Sequence, residues 1–100
     1  MKKNAQTALI HAPRRAPQYI QTVQPPLFRA STIIFENTDA LFNRHWTDAY
    51  DYSYGTHGTP TTFTLADQIA QLEGGEYCLL APSGLSAINL VNSCFLSHGD

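Results

Sequence analysis

The feature that most constrains the fold is a short apolar run that leads through a Pro-Ser-Gly turn into a helical pattern. The run is YCLLA at residues 77–81, and its five apolar residues predict a short buried strand. Residues 82–84 predict the turn, and a helix is predicted from about residue 85 to residue 97, before Gly99. Apolar residues recur in this helix at a helical spacing and are expected to face inward: Leu85, Ile88, Val91, Cys94 and Phe95.

Another helical pattern precedes the strand. Residues 64–67, TLAD, form a plausible capping signal, and Leu65, Ile69 and Leu72 recur at i, i+4 and i+7 before the glycine pair at 74–75. The order helix, strand, glycine turn, helix predicts an α/β layer with a parallel sheet. A lone strand leaves both of its edges unpaired. We therefore expect the chain to be the N-terminal part of a longer polypeptide.

Residues 1–60 are predicted to form an extended arm and a loop. Four prolines within residues 1–35 argue against a helix there. A short helix is predicted over residues 38–46, and residues 50–62 predict a loop broken by glycines and Pro60. Residues 61–100 then begin a larger domain. The arm carries too many large apolar residues for a solvated linker, so it is expected to lie on another surface: Ile20, Val23, Leu27, Phe28, Ile33, Ile34 and Phe35.

Composition excludes several classes of protein. Hydrophobic residues make up 43% of the chain and charged residues 14%, which excludes a disordered charged tail. All six basic residues lie within residues 1–44, and residues 45–100 carry six acidic residues and no Lys or Arg, so nucleic acid is not an expected partner. No apolar run approaches membrane-spanning length, and no signal peptide is recognisable, which predicts a cytoplasmic protein. Cys78 and Cys94 are predicted to be reduced core residues.

The first motif with possible chemistry is APSGLSA at residues 81–87. Backbone N–H groups at the start of a helix point outward without partners, and together with the helix dipole they can bind a phosphate. Gly84 would allow an anion to approach closely. Taken alone, the heptapeptide favours an ordinary Ser N-cap with a small-residue turn, and it lacks the two glycines of a nucleophile elbow.

The second motif is the loop YDYSYGTHGTPTT at residues 50–62. Its three tyrosines and His57 offer hydrogen-bond donors and aromatic faces in a glycine-broken segment. The alternative is a tyrosine-rich packing loop with threonine caps before the next helix. The other histidines have no metal-ligand spacing with one another or with a carboxylate, so no metal site is predicted.

Together the two motifs resemble one known family. The run from residue 54 to residue 85, YGTHGTPTTFTLADQIAQLEGGEYCLLAPSGL, is similar to the pattern Y-x-R-x-G-N-P-T, a helix, L-E-G-G, a strand and S-S-G-M-A-A-I. That pattern belongs to the pyridoxal-phosphate (PLP) enzymes of cysteine and methionine metabolism, which have fold type I, the PLP-dependent transferase-like α/β fold. Residues 7–11, 23–27 and 30–32 resemble the family's N-terminal arm. The resemblance implies that residues 61–100 begin the PLP-binding large domain.

The resemblance also implies a cofactor site divided between subunits. Gly84 and Leu85 match the positions whose backbone amides bind the PLP phosphate. Tyr54 matches the tyrosine that reaches the phosphate of the neighbouring subunit, and it is a candidate for deprotonating the substrate amine. Thr56 stands where the family usually has an arginine, which removes a charge-assisted contact of about 1.5–3 kcal/mol but leaves one hydroxyl donor. His57 is the neighbouring group placed to compensate.

The implied activity is that of a PLP-dependent carbon–sulfur lyase. GTHGTPTTFTL is most similar to the bacterial cystathionine β-lyases, which act on a sulfur amino acid, cleaving cystathionine by β-elimination to homocysteine, pyruvate and ammonia. Alternatives are a γ-lyase, a γ-synthase, an O-acetylhomoserine sulfhydrylase, or a non-catalytic assembly segment. The resemblance implies a homo-oligomer, a dimer of dimers. The only lysines are Lys2 and Lys3, so the hundred residues by themselves are expected to be inactive.

Overall fold

The computed structural model describes residues 4–10, 22–45 and 52–100. These residues form four helices: α1 (Ala5–Ile10), α2 (Thr38–Phe42), α3 (Pro60–Glu73) and α4 (Gly84–Phe95). The β structure of the described residues is one isolated antiparallel bridge between Thr32 and Tyr54. Helix α1 lies against α3, whereas α4 packs on no other described helix.

Helix α3 begins earlier than the sequence pattern predicted. Pro60 is its first residue, where the missing N–H costs no helical hydrogen bond, so this proline starts the helix instead of breaking it. The Thr62 hydroxyl accepts a 2.8 Å hydrogen bond from the Thr59 N–H, and the Phe63 N–H donates to the Thr59 carbonyl at 3.0 Å. The predicted cap at residues 64–67 is therefore wrong. Thr64 lies inside the helix, and its hydroxyl donates to the Pro60 carbonyl at 2.7 Å.

The predicted end of α3 is confirmed. Gly74 has φ 73° and ψ 20°, the left-handed conformation that glycine adopts without a Cβ penalty. The Gly75 N–H donates to the Ala70 carbonyl at 2.8 Å. The glycine pair therefore satisfies a carbonyl at the end of the helix and turns the chain away from its axis.

The two short helices differ from expectation. Residues 1–35 were predicted to contain no helix, but α1 forms at residues 5–10, which precede the first proline and contain no helix breaker. Helix α2 begins as predicted, because the Asn37 side chain accepts from the Ala40 N–H at 2.8 Å. It ends at Phe42 instead of residue 46, since Asn43 has already left the helical conformation. Residue 46 lies outside the described residues.

The predicted strand at residues 77–81 does not form, so the α/β layer is not confirmed. A strand needs a neighbour to satisfy its main-chain groups, and the described residues supply none to this segment. The segment is not buried either: Leu79 is 86% exposed, and Cys78 is only half-buried. Tyr77 is exposed as well.

Helix α4 matches its predicted position but not its predicted burial. It runs over Gly84–Phe95 instead of 85–97, and Leu96 leaves the helix with ψ 140°. Its apolar residues, expected to face inward, are exposed instead, with Leu85, Ile88, Val91 and Phe95 between 57% and 81% exposed. Cys94 is exposed too, so the prediction of a core cysteine is wrong there. The reason is that no other described helix covers this face.

The buried core of the described residues is correspondingly small. Ala70 is its only buried hydrophobic residue, with Thr59 and Thr64 as buried polar residues. The radius of gyration is 16.4 Å, above the roughly 13 Å of a compact 100-residue domain. Within the part of the chain that the structure describes, no helix has the length and apolar character needed to cross a membrane.

Two matched substitutions test the glycine cap at the end of α3. Gly74→Ala places a Cβ on a left-handed residue and should lower the free energy of unfolding by about 1–2 kcal/mol. Gly75→Ala should change it by less, because Gly75 has no positive φ and its added Cβ meets only ordinary contacts at 3.6 and 3.9 Å. Urea unfolding of the full-length protein, followed by circular dichroism, measures both values. Equal effects of the two substitutions would contradict this account of the cap.

Candidate functional site

Tyr54 lies on a turn that is joined to the arm by main-chain contacts. The bridge pairs Tyr54 with Thr32, and the Gly55 N–H donates to the Ser31 carbonyl at 2.7 Å. On the other side of the turn, the Tyr54 carbonyl accepts from the N–H of His57 at 2.9 Å and of Gly58 at 3.3 Å. The backbone of Tyr54 is therefore held from both sides.

The contact between arm and turn is close enough to require glycine. A Cβ at Gly55 would lie 1.9 Å from the Ala30 carbonyl oxygen and 2.8 Å from the Ser31 Cα. Both are main-chain atoms, which cannot rotate away as a flexible side chain can. The identity of residue 55 is thus set by the arm and not by the turn alone.

Threonine hydroxyls fasten the preceding part of the arm to the start of α3. The Phe28 N–H donates to the Thr61 Oγ1 at 2.7 Å, and the Thr61 hydroxyl donates to the Pro26 carbonyl at 3.1 Å. The Thr59 hydroxyl adds a longer contact of 3.4 Å to the Phe28 carbonyl. The sequence pattern predicted only a helix-capping role for these threonines. Their contacts to the arm span more than 30 positions of sequence, so no local pattern signals them.

An aromatic cluster supports the turn from the side of α3. The rings of Tyr52 and His57 lie 5.8 and 5.7 Å from the ring of Phe63, centroid to centroid, with His57 in an edge-on arrangement. Such pairs contribute about 0.5–1.5 kcal/mol beyond the area they bury. Two predicted site residues remain accessible next to this cluster, since Tyr54 is 46% exposed and Thr56 is also exposed.

The start of α4 presents two main-chain donors to solvent. Ser83 is the N-cap, and its side chain accepts from the Ser86 N–H at 3.1 Å, while its carbonyl accepts from the Ala87 N–H at 3.0 Å. The N–H groups of Gly84 and Leu85 are left without an acceptor among the described residues. They lie where the helix dipole concentrates positive charge, so the start of α4 can bind an anion.

The structure groups the predicted site residues into two places. Tyr54 and Thr56 share one turn, and Gly84 and Leu85 share the first turn of α4. A Cβ at Gly84 would meet no atom within 4 Å, so Tyr54 of the same chain does not close over this position. No cluster of three or more metal-ligating side chains occurs among residues 4–10, 22–45 and 52–100.

Comparison with known proteins identifies the family. The model of the Cys/Met metabolism PLP-dependent enzymes matches residues 6–100. The chain therefore belongs to this family, whose enzymes have fold type I, and the resemblance found in the sequence is confirmed. No solved structure is significantly similar to the chain.

Three relatives illustrate the range of the family. A protein of Rhizobium johnstonii with the provisional name cystathionine β-lyase is 38% identical over 94% of this chain and 23% of its own length. The L-alanine/L-glutamate racemase of Wolbachia pipientis is 31% identical over 94% of this chain and 26% of its own. Cystathionine β-lyase MetC of Escherichia coli is 32% identical over 98% and 25%. The chain thus spans about a quarter of the length of these curated relatives.

The family implies PLP as the cofactor, and the donors at the start of α4 fit its phosphate. A phosphate dianion needs several hydrogen-bond donors at one point, and the Gly84 and Leu85 N–H groups lie at the same helix end with no acceptor among the described residues. The open space at Gly84 lets an anion approach the backbone. From His45 onward the sequence has no Lys or Arg, so this part of the chain can offer a phosphate main-chain amides, hydroxyls and neutral side-chain donors such as His57, but no Lys or Arg side chain.

Proposed function

We propose that the full-length protein is a PLP-dependent carbon–sulfur lyase that cleaves cystathionine by β-elimination to homocysteine, pyruvate and ammonia. In this proposal residues 1–60 form the arm and loop, and residues 61–100 begin the α/β large domain that binds PLP. The observation that carries the proposal is the pair of N–H groups of Gly84 and Leu85, which have no acceptor among the described residues at the start of α4.

The two amides and the helix dipole would hold the cofactor phosphate in part. A helix terminus contributes typically about 0.3–1 kcal/mol, and about 2 kcal/mol in a partly buried geometry. That is too little for tight retention, so further donors are required. We propose that two of these donors come from one turn of the neighbouring subunit. Tyr54 supplies one through its phenol hydroxyl, and Thr56 supplies the other through its side-chain hydroxyl.

The position of Tyr54 suits a group that reaches outside its own chain. Its backbone is fixed by the arm, while its side chain is 46% exposed and does not close over Gly84 of the same chain. This arrangement supports a homo-oligomer with shared sites, which we propose to be a dimer of dimers. In the reaction, the Tyr54 hydroxyl is proposed to assist removal of a proton from the substrate amino group.

The cofactor would supply the stabilisation of negative charge at the substrate α-carbon. Loss of the α-proton and cleavage of the bond from the β-carbon to sulfur then release homocysteine, and hydrolysis of the remaining fragment gives pyruvate and ammonia. The β-lyase names of the Rhizobium and Escherichia relatives favour this reaction. The Wolbachia relative is named a racemase. The competing outcome is therefore a reaction at the α-carbon that leaves the carbon–sulfur bond intact.

The full-length protein tests the reaction. Purified with PLP, it should show a visible absorbance band and release equal amounts of pyruvate and homocysteine from cystathionine. The same preparation should neither racemise L-alanine nor form 2-oxobutyrate from L-methionine at a comparable rate. Racemisation or 2-oxobutyrate as the main activity would contradict the β-lyase assignment. A protein that forms no visible band with PLP would instead be a non-catalytic assembly component.

Substitution of Tyr54 tests its proposed hydrogen bond to the PLP phosphate. Tyr54→Phe removes one neutral hydrogen bond, so PLP retention in the full-length protein should fall about two- to twelve-fold. Tyr52→Phe is the matched control, because its ring keeps the contact with Phe63 and its hydroxyl has no proposed role. Dialysis against PLP-free buffer, followed by the visible band, measures retention in both variants.

Mixed oligomers test whether the site is shared. Tyr54→Phe subunits are combined with subunits that lack the catalytic lysine, which must lie outside this chain. Shared sites predict that the mixture is more active than either parent, because some sites then receive an intact Tyr54 and an intact lysine. A mixture no more active than its parents would place Tyr54 in its own subunit's site or outside the site.

A further inference from the structure

We infer that Thr61 is a positioning residue for Tyr54, acting through the arm. Its hydroxyl fastens residues 26–28 of the arm to α3, and residues 31–32 of the arm hold the Tyr54 turn. The inference deepens the proposed function, because it rests on the role of Tyr54 at the cofactor phosphate. In this role Thr61 would act through Tyr54 and would not itself contact substrate or cofactor.

The Thr61 hydroxyl is both an acceptor and a donor of hydrogen bonds to the arm. The hydroxyl accepts from the Phe28 N–H at 2.7 Å and donates to the Pro26 carbonyl at 3.1 Å. Pro26 has no N–H of its own, so its carbonyl is the only main-chain group it can use. Thr61 is part-buried, and no other described hydrogen bond joins Pro26 to α3. This one side chain therefore anchors two arm residues to the helix.

The Thr61 hydrogen bonds limit where the rest of the arm can lie. From Phe28 to Ser31 the chain advances three residues, a reach of about 10–11 Å even when fully extended. At the end of that short span the Ser31 carbonyl accepts from the Gly55 N–H at 2.7 Å. Ala30 is packed so closely that a Cβ at Gly55 would lie 1.9 Å from its oxygen. The arm thus contacts the turn within three residues of its attachment to α3.

The position of the Tyr54 phenol depends on the turn that carries it. Its side chain is half exposed, so the phenol is positioned mainly by the backbone of the turn and not by packing around the ring. That backbone is bridged to Thr32 of the arm. Release of the arm from Thr61 would let the turn move and would spread the phenol over more positions. The phosphate contact would then weaken although Tyr54 is chemically intact.

Hydrogen exchange of the full-length protein without PLP provides the decisive measurement. Thr61→Val removes the hydroxyl while keeping the branched shape, and the Gly55 N–H should then exchange about ten-fold faster, as expected for losing two hydrogen bonds. Thr61→Ser keeps the hydroxyl, so in this variant the Gly55 N–H should exchange at the same rate as in the natural protein. Thr62→Val is the matched control, since the Thr62 hydroxyl bonds only to Thr59 within the cap of α3.

A double-mutant cycle measures the connection to the cofactor. Thr61→Val should reduce PLP retention by no more than Tyr54→Phe does, and combining the two should cost no more than Tyr54→Phe alone. Independent, multiplying losses would overturn the inference, as would Gly55 exchange in Thr61→Val no faster than in Thr62→Val. These two outcomes separate positioning from general loss of stability, because Thr62→Val weakens the same helix start.

Gly55→Ala provides an alternative way to separate the arm from the turn. If Thr61→Val does not fold, Gly55→Ala serves instead, because its Cβ pushes the arm from the turn while Thr61 stays intact. Faster exchange of the Tyr54–Gly58 segment and weaker PLP retention in Gly55→Ala support the inference, and unchanged values overturn it. If Tyr54→Phe retains PLP like the natural protein, the proposed role of Tyr54 is wrong, while the exchange comparison still decides whether Thr61 holds the turn.

Discussion

The contact between the arm and the start of α3 is the constraint on which the rest of the described structure depends. Thr61 binds the arm through its hydroxyl, and the arm in turn pairs with the Tyr54 turn through main-chain hydrogen bonds. These contacts join segments more than 20 residues apart in a chain with a very small apolar core. Directional hydrogen bonds therefore supply the long-range order that buried hydrophobic surface supplies in most domains.

Helix α4, unlike α3, packs on no other described helix, although its own helical structure and N-cap are formed. Ser83 caps the helix, but the apolar face that includes Leu85, Ile88 and Phe95 is exposed. The same end of the helix presents the N–H groups of Gly84 and Leu85, which have no acceptor within the part of the chain that the structure describes. The proposed function gives those groups a role, since a phosphate bound there would satisfy donors that the described chain leaves unsatisfied.

Local signals predicted part of this structure from sequence alone. Gly74 marked the end of α3 because a left-handed cap favours glycine, and the Ser-Gly pair at 83–84 marked the start of α4. Other features were missed for identifiable reasons. Pro60 was taken as a breaker although it suits the first position of a helix, and the strand at 77–81 depends on a neighbour that the described residues lack. The Thr61 contacts were missed because they link distant parts of the chain. The roles of Tyr54, Thr56, Gly84 and Leu85 stay predictions.

The central claim is that the start of α4 binds the phosphate of PLP. A crystal structure of the full-length protein with PLP tests it most directly. The account predicts phosphate oxygens about 2.7–3.2 Å from the main-chain nitrogens of both Gly84 and Leu85, with the hydroxyl of Tyr54 of the partner subunit at a similar distance. A phosphate bound elsewhere, with these two N–H groups facing solvent or another part of the protein, would contradict it.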